Sequence, residues 1–166
     1  MTHFNLIKTA RQLALALIAA CLMPALANAQ SAGTIVDVGP GFAGSNANAS
    51  GAWTHTDTSS RVGRNGSMGR GLAIGAGPNG LSLSHSIGVN SGGVGVGHNF
   101  NMSIGRGGTH VSHGGVKSVG GNSRIITGGQ TRHRFGGVQG GSHATGFGNR
   151  TRAYTGARTQ NFFRRW

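Results

Sequence analysis

Two sets of side chains in this sequence are chemically capable. His85, His98 and His113 lie in a run where apolar and small polar residues alternate. If the run folds as hairpins, His85 and His98 become direct cross-strand neighbours and His113 sits opposite Phe100. Three neutral imidazoles held together are ligands for Zn²⁺ or Cu²⁺. Charged at acid pH, they would instead disrupt the apolar face that carries them. A solvated sheet edge is the plainer alternative. The second set is cationic: Arg132, Arg134, Arg150, Arg152, Arg158, Arg164 and Arg165. They are interleaved with Phe135, Phe147, Tyr154, Phe162, Phe163 and Trp166. Guanidinium forks match phosphate, sulfate and carboxylate, and flat rings stack on bases or sugars, so this set predicts polyanion binding.

Catalysis has little to draw on. The only acidic residues are Asp37 and Asp57, and Cys21 is the only cysteine. No strand-turn-helix elbow frames a serine, and no glycine loop opens a helix onto a phosphate. The chain reads as non-enzymatic, with no cofactor expected.

The charge balance points to the partner. The formal charge is +13, and nearly every cation after residue 30 is Arg, Lys117 being the exception. Expected partners are extracellular DNA, an anionic glycan or lipopolysaccharide, with contact to a membrane surface also open. Residues 1–29 read as a helical signal peptide: Lys8 and Arg11 precede an apolar run from Leu13 to Met23, and Ala27-Asn28-Ala29 offers a cleavage site before Gln30. Cys21 also fits a lipidation signal, and that alternative stays open. The chain is therefore expected to be exported, to the periplasm or beyond, from a Gram-negative bacterium. The part after the leader has no cysteine, which excludes a disulfide scaffold.

All 33 glycines follow the leader. Such a chain loses much backbone entropy on folding, so the expectation is mostly β structure with extensive disorder. Residues 30–70 read as a Gly/Ser/Asn linker with one short strand at 34–38. Residues 71–113 read as a four-stranded antiparallel meander, with further strands possible to 127. In it Leu81, Leu83, Ile87 and Val89 alternate with Ser82, Ser84, Ser86 and Gly88. A turn at Ser91-Gly92 would pair Val89 with Val94 and Leu83 with Phe100. Gly77-Pro78-Asn79-Gly80 and Gly105-Arg106-Gly107-Gly108 supply the other turns, the latter setting Met102 opposite Val111.

A single layer leaves its apolar face bare, so the meander needs a cover. Val116, Val119, Ile125 and Ile126, or a second copy of the chain, are the candidates. The Ser/Gly/Asn face would let sheets approach closely. Residues 128–166 read as a disordered basic tail. Its terminal Trp166 suits an outer-membrane barrel, but too few strands of barrel length are expected. These readings favour a structural, adhesive or self-associating envelope or matrix component that binds polyanions. The alternatives are a cationic antimicrobial-type effector and a periplasmic metal- or pH-responsive protein.

Overall fold

The computed structural model describes residues 30–134 and 137–162. The expected leader, with Cys21, lies outside them, as do Arg164 and Arg165. Ten antiparallel strands make up the described chain: β1 (Ser31–Gly39), β2 (Phe42–Ser50), β3 (Trp53–Gly63), β4 (Gly66–Gly77), β5 (Gly80–Ser91), β6 (Val94–Gly105), β7 (Gly108–Val119), β8 (Arg124–Arg134), β9 (Gly137–Phe147) and β10 (Arg150–Asn161). They form a four-stranded sheet in the order β2-β1-β8-β9 and a six-stranded sheet in the order β10-β7-β6-β5-β4-β3.

The expected meander is β4 to β7, and it runs on to residue 119. Its turn signals hold at two places. Gly77 pairs with Gly80 around Pro78-Asn79, setting Ile74 opposite Leu83. Gly105 pairs with Gly108, and Met102 does face Val111. The middle turn is shifted. It falls on Gly92-Gly93, so Val89 pairs with Val96 and Leu83 with Met102. Gly92 and Gly93 have φ of 57° and 75°. A two-residue hairpin of this kind needs positive φ at both central positions, and Ser91 would be strained there. The shift moves each partner by two residues, so the faces are unchanged.

The linker and tail expectations are corrected. Residues 31–63 hold β1 to β3, and residues 124–134 and 137–161 hold β8 to β10. Their strand signal is weak because their inward positions, such as Ala43, Ser45, Ala47 and Ala49, are small. They pair because β1 joins them across 87 or more residues of chain to β8, as in Val36↔Thr127 and Ser31↔Arg132.

The interior is the reverse of the expected one. The Ser/Gly/Asn face of β4 to β7 is buried against the four-stranded sheet, and the apolar face points outward. Ser82, Ser84, Ser86, Asn99, Asn101, Ser103 and Ser112 are fully buried, while Val96 and Ile104 are about half exposed. Small inward residues let the layers close up. Cα atoms of β1 come within 8 Å of those of β4 and β5, against about 10 Å for ordinary stacked sheets.

At one end of the interior, side chains of the four-stranded sheet fill slots above glycines. Val36 and Val38 sit over Gly69 and Gly88, and Ile125 over Gly88, Gly95 and Gly97. With Val116 these make the apolar cluster. Val116 and Ile125 are thus cover residues, but they cover the glycine face. Val119 and Ile126 are not in that cluster.

The other end is a hydroxyl and amide network. Thr34 Oγ1 lies 2.8 Å from Ser84 Oγ and 2.7 Å from Ser86 Oγ. Asn99 Nδ2 donates to Thr127 Oγ1 and to the His143 carbonyl, both at 2.7 Å. Asn101 Nδ2 donates to Ser142 Oγ at 2.8 Å. Paired in this way, buried polar groups avoid the desolvation penalty they would carry alone.

Strands of 9 to 12 residues, ten of them, exceed the number expected for barrel comparison. The apolar exterior is nonetheless continuous only on β4 to β7, with Ile35, Phe42, Trp53, Val62 and Phe147 exposed singly on other strands. Outward positions of β2 and β10, including Asn46, Asn48, Arg150 and Arg152, are polar and exposed. A membrane barrel needs an apolar band around its whole circumference.

Candidate functional site

The outward face of the six-stranded sheet carries most of the residues singled out above. Alternation puts His85 on the outside of β5, His98 and Phe100 on β6, and His113 on β7. The register sets His85 opposite Phe100 and His98 opposite Ile87. His85 and His98 are therefore diagonal neighbours, and Phe100 stands between His85 and His113. The direct histidine pair is corrected by the two-residue turn shift. Among the described residues, no group of three His, Cys, Asp or Glu is placed to share a metal ion. Burial, Arg70 and His98, in that order, lower the His85 pKa.

The cations divide between the two sheets. β10 pairs with β7 and carries Arg150, Arg152, Tyr154 and Arg158 on one face. Arg150 stands opposite Val119, Arg152 opposite Lys117 and Arg158 opposite Val111. Tyr154 lies flat across Gly115, where an added Cβ would come within 2.5 Å of the ring. Its ring also meets His113 edge-on, 6.0 Å between centroids. The cationic row thus borders the apolar field of β4 to β7.

Both acidic residues are engaged elsewhere. Asp37 accepts from Arg124 Nε at 2.9 Å and also from its Nη2. Asp57 pairs with Arg70. Neither lies on β7 or β10, so the Arg152–Lys117 pair is not neutralised within the described chain. Sequence reasoning selected Arg150, Arg152 and Arg158 but not Lys117. The signal missed was register: Lys117 joins the row only once β10 is laid beside β7.

Arg132 and Arg134 lie on β8, in the other sheet. Arg132 lines a groove of about 450 Å³ on the outer face of the four-stranded sheet, with Asn46, Asn48, Gln130, Gln139 and His143. Glycines make its floor. The row Asn48, Gly33, Gln130, Gly141 crosses the sheet beside the row Asn46, Ile35, Gly128, His143. A Cβ on Gly141 would meet nothing within 4 Å. Single-residue reasoning could not find this site, because its residues come from four strands spread over the chain.

No family model matches the chain, and neither the curated proteins nor the solved structures include a significant match to it.

Proposed function

We propose that this chain is an exported, non-enzymatic envelope or matrix component that holds anionic polymers along β10. One observation carries the reading: Arg152 and Lys117 are direct cross-strand partners, both exposed. Like charges placed opposite one another destabilise a sheet. With Arg150 and Arg158 on the same face and no acid beside them, the row is suited to an external polyanion. Tyr154 supplies a stacking surface in the same line.

Binding of a heparin oligosaccharide, followed against salt concentration, tests this. Affinity should fall steeply as salt rises. Changing Arg150, Arg152 and Lys117 to Gln should weaken binding and flatten that dependence. Binding that ignores salt, or that survives the triple change, would refute the proposal.

A second reading has its own observation. Val89, Val96, Ile104 and Val111 are exposed on the field that β10 borders. An apolar face with a cationic edge suits an anionic membrane surface, as an antimicrobial effector requires. Leakage from vesicles rich in anionic lipid, absent with neutral lipid, would favour it. Self-association through the Ser/Gly/Asn face is less favoured, since that face is occupied within the chain; the outward apolar field is the remaining route.

A further inference from the structure

We infer that the glycine-floored groove on the four-stranded sheet is a second binding site, for a short acidic saccharide such as an oligouronate. It lies on the opposite sheet from the β10 row and does not depend on that row's role.

The chemistry of the groove is distinctive. Four carboxamides, from Asn46, Asn48, Gln130 and Gln139, converge on it. All four residues are exposed to solvent. Each carboxamide presents a donor and an acceptor together. A sugar hydroxyl also donates and accepts, so vicinal hydroxyls match carboxamides closely, whereas phosphate and sulfate offer acceptors only. Arg132 adds the one fixed positive charge among the residues lining the groove, and its fork matches a carboxylate. That combination selects a ligand with many hydroxyls and an acid group.

Shape agrees with chemistry. Gly33 and Gly141 line the groove; Asn48 Oδ1 lies 2.8 Å from where a Gly33 Cβ would stand, while the space over Gly141 is open, leaving a trough bounded by Ile35 and His143. The His143 ring leans over Gly128, within 2.8 Å of where a Cβ would stand. Ile35 is 43% exposed. These two give an apolar edge and a ring face for the C–H side of a sugar. A volume of about 450 Å³ lies within the usual range of small-ligand sites and suits one or two residues of a chain that enters and leaves at the open ends.

Calorimetric titration of the purified chain with tetragalacturonate, maltotetraose and inorganic polyphosphate tests the assignment. Expected is saturable 1:1 binding of tetragalacturonate, weaker binding of the uncharged maltotetraose, and no competition by polyphosphate once salt screens long-range attraction. Gly141→Leu should abolish binding by filling the trough at a position with open space around it. Asn48→Ala should weaken it about tenfold, which corresponds to about 1.4 kcal/mol. Arg132→Gln should reduce tetragalacturonate to the affinity of the neutral sugar. In salt high enough to suppress the β10 row, Arg152→Gln should leave the remaining binding unchanged, which separates this site from that row. Absence of saturable sugar binding, equal binding of polyphosphate that groove variants do not alter, or loss with Arg152→Gln at that salt would each overturn the assignment.

Discussion

The hydroxyl of Thr34 on β1 lies 2.8 Å from that of Ser84 on β5, across the space between the sheets. In most two-layer β proteins that space is filled by aliphatic side chains. Here a threonine and two serines meet in it, since Ser86 also reaches Thr34. The contact is possible only because the residues on both sides are small, and it ties segments 50 residues apart.

Thr34→Val keeps the shape of the side chain and removes its hydroxyl. Ser84 retains Asn101 Oδ1 at 2.5 Å, but Ser86 loses its partner in a buried setting. The expected loss is about 1–3 kcal/mol, read as a lower urea midpoint with unchanged slope. An unchanged midpoint would mean that the hydroxyl network adds nothing.

Close approach of the sheets gives a second prediction. A Cβ on Gly75 would overlap the carbonyl oxygens of both Ser31 and Ser50, which are backbone atoms and cannot swing away. Gly75→Ala is expected to destabilise by about 1–3 kcal/mol through this overpacking. Gly121 has open space around it, so Gly121→Ala should stay within about 0.5 kcal/mol of the parent. Equal thermal midpoints for the two variants would contradict the close packing.

Acid should weaken the fold. Burial lowers the pKa of His110, and burial with Arg70 and His98 lowers that of His85, both from an ordinary value of 6.5. His110 Nδ1 is 2.7 Å from Thr159 Oγ1, while its Nε2 is buried without a partner. A lowered pKa means that the folded chain takes up these protons less readily than the unfolded one. Stability is therefore intact above the ordinary value and is lost as pH falls through it toward the folded values. Thermal midpoints measured from pH 8 down to pH 5 should drop below about pH 6.5, and His85→Gln should lessen the drop. A flat profile would show that neither imidazole is perturbed.

Hydrogen exchange should place the slow amides in both sheets. β1 and β8 lie at the centre of the four-stranded sheet, as β5 and β6 do in the other, so their amides should exchange as slowly. The outermost strands β2, β3, β9 and β10 should exchange faster. Protection limited to residues 71–113 would mean that the four-stranded sheet does not form in solution.

Much of the six-stranded sheet was legible in the sequence. Alternation from Leu81 to Ile104 fixed the faces, and the turn at 105–108 fixed one register of three; the turn at 77–80 was placed, but Ile74 could face serine or leucine until the structure set it opposite Leu83. The third needed a rule about φ: Gly92-Gly93 accommodates the turn without strain and Ser91-Gly92 does not. The arginines of β10 were selected by type, but their union with Lys117 was not visible, because register between β7 and β10 is set by strands far apart in the chain. The amide groove was hidden for the same reason.

By itself, the sequence determined the period and the two unlike faces of β5 to β7, because these depend on neighbours within a dozen residues; the strands before residue 64 and after residue 123 were not legible in it. It also determined the positive charge and the scarcity of acids. Only the tertiary structure decided which face goes inside. Period-two alternation is the same whichever face is buried; the choice falls to shape. Glycine and serine rows on β4 to β6 accept Val36, Val38, Ile125 and Thr34 from the opposing sheet, and that fit between distant segments turned the small polar face inward and left the aliphatic one outside.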